Sequence, residues 1–282
     1  MMISKGTGNV RPEGSLDVFR HLKSLGYEAC DYQGTALEPG TGLFALPDGE
    51  FERFMRREAD MARTAGIRIG QTHGPWPYDD RIQAQREPKF EATVKSLFAA
   101  SILGAPYVVI HPVMPVWWHD SPHHESDKEE NIAFVRRLVP YAKEYNVKIA
   151  VENMPHGGVP CGHVQELVEC VDAVNSEFVV ACLDTGHCTC IGDDAGEMAR
   201  LLGGRLACVH VHDNDGKRDV HYLPYFGVAN WDSFLSALRE IHYQGTMNLE
   251  TNVPDHLPGA RQREAEEWLS RLARSLADMA SA

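Results

Sequence analysis

The chain has 282 residues, of which 43% are hydrophobic and 24% charged, a composition typical of a globular protein with a sizeable core. Forty acidic residues against 27 basic ones give a formal net charge of −13, which argues against a protein that grips nucleic acid through its phosphates. Seven cysteines cannot all pair within one chain, no apolar run reaches the length of a membrane span, and residues 1–14 lack the apolar stretch of a signal peptide. By default we therefore expect a cytoplasmic protein with reduced cysteines.

Strand and helix patterns alternate along the whole chain, where short β-branched or apolar runs are separated by amphipathic stretches of helical length. The runs that predict strands are Tyr27–Tyr32, Ile67–His73, Tyr107–His111, Val147–Glu152, Phe178–Asp184, Leu206–His212 and Thr246–Thr251, and a weaker run near Met2–Lys5 would be an eighth. The stretches that predict helices include Phe51–Ala65, Phe90–Leu103, Asn131–Tyr145, Val164–Val174 and Trp231–Ile241, with a final helix from about Arg261. Such alternation is typical of an α/β protein with a parallel sheet.

Eight strand and helix units in one uninterrupted chain predict a (β/α)8 TIM barrel, in which a closed parallel sheet lies inside a ring of helices. No linker divides the sequence, so residues 1–282 are expected to form a single domain. A doubly wound open sheet is the alternative. It usually carries a glycine-rich phosphate loop after an early strand, and this sequence has none.

Six of the predicted strands end on residue types that bind metals or transfer protons. These are His73, His111, Glu152, Asp184, His212 and Glu250. Because side chains alternate between the two faces of a strand, Glu152 shares a face with Ala150, while Val151 takes the opposite, apolar face. We therefore expect the polar sets to point into the barrel and to meet at the C-terminal ends of the strands, where such barrels have their active sites. By the same alternation His210 lies one layer deeper than His212 and is interpreted as a core histidine.

Three carboxylates that converge in the mouth of a barrel would repel one another unless they are protonated or neutralised by positive charge. One divalent cation bound by Glu152, Asp184, His212 and Glu250 would remove this repulsion. Mixed oxygen and nitrogen ligands suit manganese, zinc, cobalt or magnesium. Each residue alone could be a hydrogen-bonded side chain with no special role, but the agreement in position across independent strands favours a metal site.

Four segments of the chain resemble the xylose-isomerase-like barrel superfamily. They are VENMP (151–155), CLDTGHCTC (182–190), HVHDNDGKRDVHYLPYFG (210–227) and NLET (248–251), and the resemblance covers roughly residues 67–251. The superfamily includes sugar-phosphate isomerases and epimerases, inosose-pathway enzymes and endonuclease IV. The resemblance to the epimerase branch implies the same four metal ligands, and it implies that His187 and Arg218 hold the sugar.

A second part of the resemblance points to further metal ions. Asp219 and His221 form a D-x-H pair that binds another metal in endonuclease IV, and His73 and His111 also match ligand positions of that enzyme. Many sugar-isomerase relatives keep similar histidines, and we predict that His73 and His111 bind substrate here. An endonuclease IV-like trinuclear zinc phosphoesterase that acts on abasic DNA is therefore an alternative, which the acidic net charge disfavours.

Aromatic residues follow two of these histidines in the predicted loops at the active face. Trp76 and the pair Trp117-Trp118 could stack on the apolar face of a sugar, or could pack within a loop or an oligomer contact. We predict that Trp76 contacts the substrate.

Taken together, these patterns predict a metal-dependent isomerase or epimerase of a small sugar or sugar-like polyol. Glu152 or Glu250 would remove the proton next to a carbonyl to give a metal-stabilised enediolate, and the same or the other glutamate would return a proton. The expected partners are a small-molecule substrate and further copies of the chain in a dimer or tetramer, with no nucleic acid and no membrane. A non-catalytic sugar-binding barrel is a further alternative, but both glutamates are present.

Overall fold

The computed structural model describes residues 1–8, 13–77, 83–114, 123–254 and 256–281, and within them eight parallel strands form a barrel that helices surround. The strands β1 to β8 are Ile3–Gly6, Ala29–Tyr32, Arg68–His73, Tyr107–Ile110, Lys148–Glu152, Val179–Asp184, Leu206–His210 and Met247–Leu249. The helices α1 to α9 of the described residues are Leu16–Ser24, Asp48–Ala65, Arg86–Leu103, His124–Tyr145, Val164–Val174, Thr185–Cys190, Ala195–Leu202, Trp231–Glu240 and Gly259–Met279. The predicted (β/α)8 barrel is confirmed.

The strands pair in parallel in the order β7-β6-β5-β4-β3-β2-β1-β8, and Val211, which follows β7 directly, closes the ring. Its N–H donates to the carbonyl oxygen of Asn248 at 2.9 Å, and its own carbonyl oxygen accepts from the N–H of Glu250 at 3.1 Å. This bridge lies between the ends of β7 and β8. It therefore holds His212 and Glu250 at the same edge of the barrel.

The alternation of faces that the sequence predicts is present in β5. Ile149 and Val151 belong to the core shared by the sheet and the helices, whereas Ala150 lies in a separate cluster with Cys182 and Cys208 inside the barrel. Glu152 is on the same face as Ala150 and points into the barrel mouth. A shift in register by one residue would turn Glu152 outward, so the apolar packing of β5 determines which side chains reach the site.

Helices α2 to α5 all end in a left-handed turn that leads into the next strand. Gly66 and Gly104 adopt this conformation after α2 and α3, and Asn146 and Asn175 adopt it after α4 and α5. Glycine and asparagine take positive φ angles at the least steric cost. The connections from helix to strand are therefore short, and the longer loops lie at the C-terminal ends of the strands.

The structure differs from the predicted elements mainly at their ends. β7 ends at His210 and β8 at Leu249, because beyond those residues only the bridge at Val211 continues the pairing. Asp184 ends β6 and also caps the short helix α6, where its side chain accepts a hydrogen bond from the His187 N–H. None of the described helices is both long and apolar enough to cross a bilayer.

Replacing the fully buried Ile149 with alanine should lower the free energy of unfolding by about 2–5 kcal/mol, because the change removes buried methyl groups and leaves a cavity between β5 and the helices. Denaturant titration followed by circular dichroism would measure the loss. Lys148, which precedes Ile149 and is only half-buried, is the matched control, and Lys148→Ala should lower stability much less. Equal losses in the two variants would contradict the assigned alternation of faces.

Candidate active site

A cavity of about 200 Å³, equivalent to roughly seven water molecules, opens at the C-terminal ends of the strands and suits one small molecule. The predicted site residues that line it are His73, Trp76, His111, Glu152, His187, Asp219, His221 and Glu250. A larger cleft of about 750 Å³ lies at the opposite end of the barrel, where Glu28, Arg239 and Arg274 line it, and it contains none of those residues. We place the site in the smaller cavity, because it holds the titratable residues at the end of the barrel where catalysis occurs in this fold.

Three carboxylates and one histidine form the centre of the site, and two of them, Glu152 and Glu250, line this cavity. Glu152, Asp184, His210 and Glu250 each offer a ligand atom within 4.8 Å of the others. The Nδ1 atom of His210 lies 2.9 Å from Glu152 Oε1 and 2.7 Å from Glu250 Oε2, so one imidazole joins the two predicted bases. His210 is fully buried, as expected of a core histidine. Its contacts with both glutamates were not expected from the sequence.

His212 lies beside this centre and contacts it through Asp184. Its Nε2 atom is 3.0 Å from the Asp184 carboxylate, and its Nδ1 atom is 3.3 Å from the carbonyl oxygen of Asp213. A ring that donates its Nδ1–H to a backbone carbonyl presents a lone pair on Nε2, which is the usual arrangement of a metal-binding histidine. Gly186 lies against this ring, where a Cβ atom would come within 1.9 Å of His212 Cε1. Glycine at this position therefore makes room for the imidazole.

Further histidines and one aspartate surround the outer side of the centre. His187 Nε2 is 3.3 Å from Asp219 Oδ2, and that oxygen is also 3.3 Å from His221 Nε2. Burial alone would lower the pKa of His187, but the negative charges of Asp184 and Asp219 raise it to about 10. Burial likewise opposes the charge on His221, yet the hydrogen bond with Asp219 and the charge of Glu250 raise its pKa to about 9. These two histidines therefore compensate part of the negative charge of the site.

The two glutamates also depend on nearby positive charge. Burial alone would raise the pKa of Glu152, but the charge on His210 holds it well below its usual value, and the pKa of Glu250 is lowered in the same way. Even so, Glu152 Oε2 is buried and accepts no hydrogen bond, although His111 Nε2 is 3.4 Å away. The Asp219 Oδ1 atom is likewise buried and accepts no hydrogen bond. Buried carboxylate oxygens without a donor are destabilising, and a divalent cation would satisfy them, so the residues present fit a metal site.

Other groups of possible ligands flank the centre. They are His73 with His111 and Glu152, Asp184 with His187 and His212, and His212 with Asp219 and His221. The rings of His73 and His111 meet edge to face at 4.9 Å, and those of His212 and His221 stack at 3.9 Å. Each group shares Glu152, Asp184 or His212 with the centre or with another group. Any further ion bound by these groups would therefore lie next to the first.

An apolar wall lies in the same cavity as the carboxylates. Trp76 packs with Met114, Met154 and Val159, and its ring meets His111 edge-on at 4.6 Å. A wall of this kind suits the C–H face of a sugar. The sequence analysis identified only Trp76, because the three apolar residues come from loops that carry no periodic pattern.

Arg218 is the predicted substrate-binding residue that the structure does not bring to the cavity. Its guanidinium donates to Asp215 Oδ2 at 2.9 and 2.7 Å, and its side chain is 70% exposed. This ion pair between residues three apart in the loop after β7 holds Arg218 on the surface. Trp117 and Trp118 lie outside the described residues.

The sequence analysis missed the polar side chains that lie under the glutamates. The amide nitrogen of Gln71 is 2.8 Å from His210 Nε2 and 3.1 Å from Asp31 Oδ2, and all three residues are buried. A signal was available, because Gln71 precedes His73 by two residues and therefore shares its inward face.

A family model described as xylose isomerase-like TIM barrel matches residues 19–274. The chain is 24% identical to the inosose isomerase of Bacillus subtilis over 185 residues, which are 64% of this chain and 64% of that protein. A solved structure of a D-tagatose 3-epimerase-like protein matches with a TM-score of 0.78 and 20% identity over 100% of both chains. A solved structure of IOLI protein with a binding zinc atom matches with a TM-score of 0.77 and 20% identity over 100% of this chain and 98% of that one. The two structures share the barrel fold with this chain.

Gly186→Ala should displace the His212 ring and weaken the binding of a divalent ion by roughly tenfold or more, because the added Cβ needs the space that the ring occupies. Metal affinity measured by competition with a chelator would test this. Gly204→Ala is the matched control, since a Cβ at Gly204 meets no atom within 4 Å. Unchanged affinity in the folded Gly186→Ala variant would argue against His212 as a ligand.

Proposed function

Since this chain belongs to the xylose isomerase-like TIM barrel family, we propose that it is a metal-dependent isomerase or epimerase of a small sugar or sugar-like polyol. The observation that carries the proposal is the meeting of Glu152 and Glu250 at His210, within a cavity of small-molecule size. The relatives named as inosose isomerase and as D-tagatose 3-epimerase-like protein support the same class of substrate.

The proposed ligands of the metal are Glu152, Asp184, His212 and Glu250. His212 is supported as a ligand because its Nε2 faces Asp184 while its other ring nitrogen faces a backbone carbonyl. His210 would not bind the ion, because its Nδ1 contacts both glutamates. When bound, the ion would supply positive charge next to the substrate oxygens and so stabilise the negative charge that develops on them. Manganese, zinc, cobalt and magnesium all suit such ligands.

Glu152 and Glu250 are the proposed bases. Glu152 ends β5 and Glu250 follows β8, and β6 and β7 separate these strands in the barrel, so the two carboxylates would face a substrate from different sides. One carboxylate takes the proton from the carbon next to the substrate carbonyl. Return of a proton by the other carboxylate to the opposite face inverts that carbon. Return by the same carboxylate to the former carbonyl carbon, with transfer of the neighbouring hydroxyl proton to the former carbonyl oxygen, moves the carbonyl.

The remaining residues of the cavity would orient the substrate. His187 Nε2, which now faces Asp219 at 3.3 Å, can donate a hydrogen bond to a substrate oxygen. His73 and His111 line the same cavity and would bind other hydroxyl groups. The Trp76 wall would cover the C–H face of the substrate and exclude water from the reacting carbon.

Glu152→Gln and Glu250→Gln should each lower kcat by about 10²–10⁴-fold, because glutamine has the same shape but cannot accept the proton. Exchange of the substrate C–H for deuterium in D2O, followed by NMR, measures the proton transfer directly on ketoses, aldoses and cyclic ketopolyols. Glu177→Gln, at an exposed position before β6, is the control and should keep full activity. A metal-loaded wild type that exchanges no proton with any of these compounds would contradict the proposed reaction.

The flanking groups of ligands favour a second candidate, an endonuclease IV-like trinuclear zinc phosphoesterase. One additional ion would lie at His73 and His111, and another at Asp219 and His221. The net charge of −13 opposes the binding of a DNA backbone. The proposal of a sugar enzyme is therefore preferred, and the number of bound ions separates the two.

We expect about one divalent ion per chain after zinc loading and dialysis, measured by mass spectrometry, because one ion satisfies the central carboxylates. Asp219→Asn should leave that number unchanged, since Asp219 belongs to a flanking group and not to the centre. Nearly three zinc ions per chain, a lower number in Asp219→Asn and cleavage of abasic DNA would together support the phosphoesterase instead.

A further inference from the structure

The proposed metal ligands occupy only one half of the barrel mouth. Glu152 and Asp184 end β5 and β6, and His212 and Glu250 come after β7 and β8. Gln33 follows β2 directly and lines the same cavity. In a ring of eight strands β2 lies opposite β6, so Gln33 faces the centre from across the cavity. A substrate held at the centre would therefore have its far end near Gln33.

The end of β1 holds the side chain of Gln33 in place. Its Oε1 atom accepts a hydrogen bond from the Gly8 N–H at 2.9 Å, and its backbone N–H donates to Thr7 Oγ1 at 3.0 Å. Gly6 lies against the amide, and a Cβ atom at Gly6 would come within 2.9 Å of both Oε1 and Nε2. Since Gly6 does not have a left-handed backbone, the close approach of the amide is what requires a glycine at this position.

These contacts leave Nε2 as the part of the Gln33 amide that can bind a ligand. Because Oε1 accepts from Gly8, the amide has a fixed orientation, and Nε2 carries two hydrogens. None of the residues that the structure describes accepts a hydrogen bond from Nε2, and the side chain is half-buried in the cavity wall. Among the described residues of that wall, the other polar side chains are histidines, carboxylic acids and the indole of Trp76. Gln33 therefore offers the cavity a fixed donor without a charge.

We propose that Gln33 determines substrate specificity by donating a hydrogen bond from Nε2 to a substrate hydroxyl remote from the metal. The inference rests on the proposed function, because it concerns a substrate bound in the same cavity. A site that hydrogen-bonds a hydroxyl group discriminates strongly against an analogue that lacks it. The preferred substrates are therefore polyols that carry a hydroxyl at the end furthest from the metal.

Two variants remove the amide from the cavity wall in different ways. Gln33→Met has nearly the same volume but offers no N–H. Gly6→Ala keeps the glutamine and displaces its amide, because the added Cβ needs the same space. The matched controls are Gln165→Met, at an exposed position on α5, and Gly204→Ala, where a Cβ meets no atom within 4 Å.

Each protein is loaded with Zn²⁺, and exchange of the substrate C–H for deuterium in D2O is followed by NMR. The probes are the ketose, aldose or cyclic ketopolyol that the wild type exchanges fastest and those monodeoxy analogues of it that keep the carbonyl and the exchanging carbon. The dissociation constant for Zn²⁺ is measured by competition with a chelator.

Gln33→Met and Gly6→Ala are each expected to lower kcat/KM for the parent compound by about 5–100-fold, because a substrate hydroxyl loses its donor. The loss should appear mainly in KM, with the affinity for Zn²⁺ unchanged, since the hydroxyl is remote from the reacting carbon. One monodeoxy analogue should lower kcat/KM of the wild type by a similar factor. For that analogue the wild type and Gln33→Met should be equal, whereas Gln165→Met and Gly204→Ala should match the wild type throughout.

Unchanged kcat/KM in Gln33→Met would overturn the role of Gln33. A loss of the same size for the parent compound and for every analogue would also overturn it, because Gln33 would then act only by holding the end of β1. If Gln33→Met does not fold, Gly6→Ala decides by the same comparison. A wild type that exchanges a proton with none of the compounds would overturn the proposed function and this inference together, which distinguishes that failure from a failure of Gln33 alone.

Discussion

The site depends on one constraint, which is that three carboxylates, two of them fully buried, must be kept together. Glu152, Asp184 and Glu250 offer oxygen atoms within 4.8 Å of one another. Like charges at this separation, away from water, repel strongly, so the site needs positive charge from histidines or from a cation. The surrounding histidines supply positive charge from the protein itself. They do not satisfy every carboxylate oxygen, because the buried Oε2 atom of Glu152 accepts no hydrogen bond.

The barrel holds this arrangement because each of the three carboxylates lies at the end of a different strand, with Glu152 ending β5, Asp184 ending β6 and Glu250 following β8 directly. Glu152 is in register with Cys182, and Asp184 is in register with His210, so neither carboxylate can move without breaking the sheet. The outward faces of the same strands pack on the helices, and that packing opposes the repulsion at the strand ends. A cluster of carboxylates carried only by loops would separate instead.

Local patterns in the sequence were sufficient to predict the fold and the inward-facing carboxylates. The alternation of apolar and polar residues along β5 predicts that Glu152 points into the barrel. Because Glu152 is the last residue of that strand, the sequence also predicts that it lies at the mouth of the barrel. The contacts of His210 could not be predicted, because they depend on the register of β5, β7 and β8 relative to one another, which no single segment encodes. Arg218 lies on the surface, where it pairs with Asp215, and side-chain pairing within a loop is not visible in the pattern of residues.

Charge balance connects the number of metal ions to the kind of substrate. The carboxylates of the cavity are Glu152, Asp219 and Glu250, and Asp184 lies beside it in the centre. In the absence of metal, His187 and His221 have pKa values raised to about 10 and 9, so both carry positive charge at neutral pH. A single divalent ion at the centre would compensate two of these negative charges and would leave less positive charge in the cavity than three ions, which suits an uncharged sugar. Three divalent ions, with the histidines neutral as ligands, would leave an excess of positive charge that an anionic phosphate ester would have to compensate. We therefore expect the occupancy of the flanking positions to distinguish the proposed sugar enzyme from the phosphoesterase.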